Sequence, residues 1–123
     1  MYKRQTNRRV RLVTTSGVVT TLAGIGGKPI TSLDGNNTIA KFLSCEGITV
    51  APNGVIYVAE TTSHRIRAVS PAGVVTTIAG STQGSVDGTG AAAQFHSPSG
   101  ITIGPDGSLL VTERGSHRIR KVT

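Results

Sequence analysis

Residues 34–70 and 87–123 are two copies of one pattern, read without a gap at an offset of 53, with 18 identities in 37 positions. The first reads DGNNTIAKFLSCEGITVAPNGVIYVAETTSHRIRAVS and the second DGTGAAAQFHSPSGITIGPDGSLLVTERGSHRIRKVT. A second match sets RVRLVTTSGVVTTLAG at 9–24 against RIRAVSPAGVVTTIAG at 65–80, with 10 identities in 16 and an offset of 56. The three extra residues lie between Gly24 and Asp34, and length changes belong in loops. A period in this range marks a stacked array of supersecondary units.

Each unit holds four candidate strands. Strand a is GITVA at 47–51 and GITIG at 100–104. After Pro52-Asn53-Gly54 or Pro105-Asp106-Gly107 comes strand b, at 55–60 and 108–113. Asn-Gly and Asp-Gly between β-rich runs are hairpin signals. Strand c follows at 8–13, 65–70 and 118–122, and strand d at 18–23 and 74–79. Four short strands joined by tight turns, then repeated, describe one propeller blade per unit. The 16 glycines of 123 residues agree with many turns, and no long helix is expected. Residues 89–95 hold three alanines and predict a linker with one helical turn, ending where Phe95 packs.

The combined pattern is G-V-V-T-T-(L/I)-A-G, D-G, A-x-F, G-I-T-(V/I), (I/L)-(Y/L)-V-(A/T)-E and S-H-R-I-R. It resembles the NHL repeat over about residues 8–123, with Ser63 and Ser116 where the family has Asn and Glu60 and Glu113 where Asp is usual. The resemblance implies an all-β fold, a partial β-propeller of four-stranded antiparallel blades in an incomplete ring. Residues 8–24 form a partial blade, 47–80 a full blade and 100–123 a partial blade, after a basic tail at 1–7. Such repeats typically close six blades, about 24 strands; the nine strands here are too few. The chain is therefore expected to be a fragment of a longer array, the alternative being assembly of several copies through open blade edges.

Net charge is +7, and Lys3, Arg4, Arg8, Arg9 and Arg11 carry five of those charges. A basic arm can meet nucleic acid or anionic lipid, although such runs are commonly solvated surface. The first residues lack an apolar signal-type run, and no segment reaches membrane-spanning length, so no membrane partner is expected. The compartment is left open. Cys45 is the single cysteine and reads as a small buried hydrophobe.

Chemistry-bearing motifs are few. Residues 88–93, GTGAAA, match a dinucleotide pattern in shape but lack the strand–helix context. His64 and His117 are repeat equivalents, expected to anchor the turn before strand c and to diverge rather than share a metal. No cofactor is expected. Arg65, Arg67, Arg118 and Arg120 alternate with Ile66 and Ile119, which predicts arginines on one face and isoleucines on the other. The arginines are expected to pair with the repeat carboxylates Asp34, Asp87, Glu60 and Glu113. Phe42 and Phe95, the chain's two phenylalanines, are expected in the core. The expected function is a non-enzymatic protein-interaction scaffold that binds through inter-strand loops. RNA binding on a basic face is the alternative, and a lyase-like propeller enzyme a third reading.

Overall fold

The computed structural model describes residues 8–26 and 31–123. The basic tail 1–7, with Lys3 and Arg4, lies outside the described residues. Nine strands follow in chain order: β1 Val10–Val13, β2 Val19–Ala23, β3 Gly47–Val50, β4 Ile56–Glu60, β5 Arg65–Val69, β6 Val75–Gly80, β7 Pro98–Ile103, β8 Leu109–Glu113 and β9 Arg118–Val122. They form three antiparallel meanders, β1-β2, β3-β4-β5-β6 and β7-β8-β9. Each expected strand is present to within two residues. The helical turn in the linker is a single 3₁₀ turn at Gly90–Ala92. No described helix is long and apolar enough to cross a membrane.

The turns follow their residue chemistry. Asn53 Oδ1 accepts from the amide of Val55, and Asp106 Oδ1 from the amide of Ser108, so each short side chain closes its own hairpin. Gly54 and Gly107 take φ of 87° and 83°, which a Cβ would disfavour.

The core lies between blades. Val10 and Ala23 of the first sheet meet Phe42, Ile56, Val58, Val69 and Val75 in one cluster. A second cluster joins Ala59, Ile66 and Ala79 of the middle sheet to Phe95, Leu109 and Val111 of the third. The middle sheet is thus covered on both faces, and β5 is buried from Ile66 to Val69. Both faces of β5 are dry: Ile66 packs in the second cluster and Arg67 lies against Phe42 of the first. On β9 the third sheet has no neighbour beyond it among the described residues, and Ile119 is 74% exposed where Ile66 is fully buried.

Close approach between blades depends on glycine at particular places. A Cβ on Gly47 would sit 2.1 Å from the Ser99 carbonyl oxygen, where β3 packs on β7. Gly24 and Gly80, both at φ +95°, would carry a Cβ at 3.1 and 3.0 Å from Phe42 Cδ2 and Phe95 Cδ2. The phenylalanine of each blade therefore rests on the glycine that ends strand d of the blade before it.

Candidate functional site

The repeated charges converge on a constellation that appears twice. The pairing of β5 with β6 shifts register between Ile66 and Arg67. The Arg67 guanidinium is fully buried. Nη1 donates to Glu60 Oε2 at 2.6 Å, and Nη2 donates to Asp34 Oδ1 at 2.8 Å and the Leu33 carbonyl at 2.8 Å. Nη1 also donates to the Lys41 carbonyl at 3.2 Å and to Ser32 Oγ. The Phe42 ring lies against it, centroid to Cζ 5.1 Å.

Every one of these partners, Ser32 excepted, has an equivalent 53 residues on that makes the same contact. Arg120 Nη2 donates to Asp87 Oδ1 at 2.6 Å and the Val86 carbonyl at 3.2 Å. Its Nη1 donates to Glu113 Oε1 at 3.1 Å and the Gln94 carbonyl at 2.9 Å. Phe95 lies 5.1 Å from its Cζ. Pairing with repeat carboxylates thus holds for Arg67 and Arg120. Arg65 and Arg118, one pleat away, have no carboxylate partner among the described residues; Arg118 is exposed.

The serines around the buried glutamates were not singled out by sequence. Ser116 Oγ donates to Glu113 Oε2 at 2.7 Å. In the earlier copy Ser32 donates to Glu60 instead, and the hydroxyl of Ser63, the equivalent of Ser116, is buried without a partner. Ser85, the equivalent of Ser32, is exposed. The two copies thus serve their buried glutamates with serines from different loops.

His64 and His117 each close their own turn through the backbone, the His64 amide donating to the Thr61 carbonyl at 3.3 Å and the His117 amide to the Glu113 carbonyl at 3.1 Å, and the His64 side chain reaches further. Both sit in the left-handed region, at φ 58° and 56°, as does Arg8 at 58°, 56 residues before His64. Histidine enters this region more readily than β-branched residues do. From there His64 reaches the next blade, where its Nδ1 accepts from the Ser97 amide at 3.1 Å. Arg8 does the same, donating from Nε to the Leu43 carbonyl at 2.6 Å. The residue before strand c is a tie to the following blade. His96, for which sequence offered no partner, stands edge-on to His64 with ring centroids 6.2 Å apart. Among the described residues, no three His, Cys, Asp or Glu side chains group to hold a metal. Burial and the nearby Glu60 charge push the Cys45 thiol up to about 12, so it stays protonated at neutral pH.

Burial, then the neighbouring His96, lower the His64 pKa from its ordinary 6.5. Nδ1 must be unprotonated to accept from Ser97. The unfolded chain therefore binds more protons than the folded one below the ordinary value, and stability is lost as pH falls from there through the lowered pKa. The urea midpoint is expected to drop between pH 7.5 and pH 5, and the drop to shrink in His64→Gln. An identical drop in the variant would remove His64 as its cause.

Two stretches differ between the copies. In the longer loop, 25–33 against 81–86, Ser32 and the Leu33 carbonyl serve the Arg67 cluster, residues 27–30 lie outside the described residues, and Ile25 and Thr31 are exposed. In the other, Thr61 Oγ1 donates to the Pro98 carbonyl at 2.7 Å, and Arg114 pairs with Glu46. Thr61 and Arg114 therefore join adjacent blades.

Comparison with known proteins agrees with this geometry. The NHL repeat model matches residues 42–68 and 95–122. Human Teneurin-4 is 32% identical over 93 residues, which is 63% of this chain and 3% of that protein. A crystal structure of a protein of unknown function from Bacteroides thetaiotaomicron superposes with a TM-score of 0.85 at 27% identity, covering 95% of this chain and 30% of that one. An auxiliary nutrient binding protein from Bacteroides ovatus superposes with a TM-score of 0.85 at 23% identity, covering 96% and 33%. The chain spans a small part of the teneurin and about a third of each solved structure. Each matched repeat runs from the packed phenylalanine through strands a and b to strand c, and with nine described strands in two-, four- and three-stranded sheets the chain carries two NHL repeats within a partial β-propeller.

Proposed function

We propose that this propeller segment is a non-enzymatic protein-interaction scaffold within a larger array, and that the loop entering the middle blade, residues 25–31, carries partner specificity. The observation that supports this reading is where the charge goes. Arg67 and Arg120 are taken up by Asp34, Glu60, Asp87 and Glu113 inside the blades, so the repeated arginines hold the scaffold together. The copies agree in those positions and diverge in the loop, and loops on a rigid frame are where recognition concentrates.

Replacing residues 25–33 by the shorter 81–86 sequence tests this. The substitute ends in Ser85-Val86, so a serine still precedes Asp34 at the spacing of Ser32. Stability is expected to change by less than about 1 kcal/mol, since loop length enters closure entropy only weakly. Pull-down of protein partners by the full-length protein is expected to fall at least tenfold. Unchanged partner recovery would overturn the loop assignment.

Exposed Arg118 and the basic residues near the N-terminus favour the second reading, RNA binding. Affinity for a single-stranded RNA that falls steeply with salt, and falls again in Arg118→Ala, would displace the scaffold reading.

A further inference from the structure

We infer that the base of the loop at 25–33 is a docking surface for an acidic segment of a protein partner, one in which carboxylates flank an aliphatic residue; this rests on the reading of that loop as the recognition element. The surface lies inside the chain, at the junction of the first and middle sheets. Arg9 Nη2 donates to the Ile25 carbonyl at 3.1 Å, and its guanidinium lies on Gly26, where a Cβ would sit 2.6 Å from Nε. The Ile25 amide in turn donates to the Ala40 carbonyl at 3.3 Å. At the other end of the loop, Leu33 and Lys41 exchange both backbone hydrogen bonds, at 3.0 and 2.9 Å. Arg8 Nε donates to the Leu43 carbonyl at 2.6 Å. Arg8, Arg9 and Lys41 are thereby gathered around the two ends of one loop.

The equivalent junction, between the middle and third sheets, shares the backbone and lacks the surface. There the Gln94 amide donates to the Val86 carbonyl at 2.9 Å, as Lys41 does to Leu33. At the places of Arg8, Arg9 and Lys41 stand His64, Arg65 and Gln94, and burial keeps the His64 pKa below its ordinary value. At the places of Ile25 and Ile39 stand Ser81 and Ala92. Packing does not demand the larger residues, since Ile25, Leu33 and Ile39 are 42, 43 and 49% exposed. Cations and exposed aliphatic side chains are thus added together, at one junction of the two.

The chain's own carboxylates do not neutralise these cations. All six acidic side chains pair elsewhere: Asp34 and Glu60 with Arg67, Glu46 with Arg114, Asp87 and Glu113 with Arg120, and Asp106 with Lys121. The Arg67 cluster carries one net negative charge beside the loop, and the Arg120 cluster carries one beside its counterpart, so a positive surplus remains at the first junction alone. Arg9 and Lys41 have no carboxylate partner among the described residues. Ala40 and Phe42 are buried while Ile39 and Lys41 are not, and Leu33 stands opposite Lys41, so the cation and the two aliphatic side chains share the outer face. Guanidinium and ammonium groups bordering aliphatic side chains match carboxylates set around an aliphatic residue. RNA fits less well, because this surface has no stacking ring among the described residues: Phe42 is fully buried, and Tyr57 packs against the second cluster.

The test uses the full chain and the fluorescence anisotropy of a labelled peptide of Glu-Glu-Leu repeats. The peptide is expected to bind, with an affinity that falls about tenfold between about 50 and 300 mM salt. A peptide of Gln-Gln-Leu repeats is expected not to bind. Lys41→Gln, the residue that Gln94 already is at the equivalent place, should weaken binding about fivefold and flatten its salt dependence. Ile25→Ser together with Ile39→Ala, again the second copy's choices, should weaken it about tenfold at every salt concentration. These variants should keep the parent's urea midpoint, because the second junction folds with the same residues. Equal binding of the two peptides, binding of neither, or an affinity indifferent to all three substitutions would overturn the acidic partner and leave the loop assignment standing. Displacement of the acidic peptide by a lower concentration of polyuridine would overturn it in favour of RNA. Unchanged partner recovery after exchange of residues 25–33 would instead remove the loop assignment on which the surface rests, so the two failures are told apart.

Discussion

Arg67→Ala is expected to lower folding stability by about 3–5 kcal/mol, because it leaves the carboxylate of Glu60 buried without its counter-charge. Both side chains of that pair are fully buried, and the Arg67 guanidinium also closes on Asp34, two backbone carbonyls and Ser32. Five groups lose a donor in one substitution. Arg67→Lys is expected to recover little of it, since one ammonium cannot reach the forked acceptor set that the planar guanidinium spans. Arg120→Ala is the internal control. Its acceptors are chemically the same, but Asp87 is nearly free in water and Arg120 itself is 10% exposed. The Asp87 pair contributes far less for that reason, while Glu113, whose side chain is fully buried, still loses its counter-charge, so the loss there is expected to be smaller than at Arg67 but of the same kind. The measurement is urea denaturation of both variants beside the parent chain. Equal losses at the two positions would mean that the exposure of Asp87 and Arg120 does not weaken the cluster.

The strands were legible because their turns are marked by Pro-Asn-Gly, Pro-Asp-Gly, Thr-Ser-Gly and Pro-Ala-Gly, and because the copies of each element confirm one another. Phe42 and Phe95 were legible for the same reason: a rare residue at the same repeat position is a packing signal. The depth at which β5 is buried was not. The expected pairing of its arginines with repeat carboxylates holds at Arg67, but the strand is covered on both sides and the arginine enters the core with its counter-charges. Nothing local to R-I-R reveals that, because the carboxylates arrive from 33 residues upstream and from the adjacent strand. The reach of His64 to Ser97 was hidden in a similar way. It depends on a left-handed backbone at His64 and on the curvature that brings the next blade's entry segment alongside. Arg8 at the equivalent backbone position was a signal that could have been read, through the offset of 56 that already aligned Arg9 with Arg65.

Phe42→Ala is expected to be about as damaging as Arg67→Ala, at about 3–5 kcal/mol, for a different reason. The ring is fully buried among Val10, Ala23, Ile56, Val58, Val69 and Val75, so its loss opens a cavity where the first sheet meets the middle blade. It also removes the aromatic face from beside Arg67. The damage should be local as well as global. The first sheet has two strands and is held chiefly by this cluster, so amide exchange in β1 and β2 is expected to quicken most, with β7–β9 retaining more of its protection. Phe95→Ala should give the reverse pattern, because Phe95 joins Ile66 and Ala79 of the middle blade to Leu109 and Val111 of the third. Uniform loss of protection across all three sheets in both variants would show that the blades unfold as one cooperative unit and that neither phenylalanine acts as a separate interblade fastening.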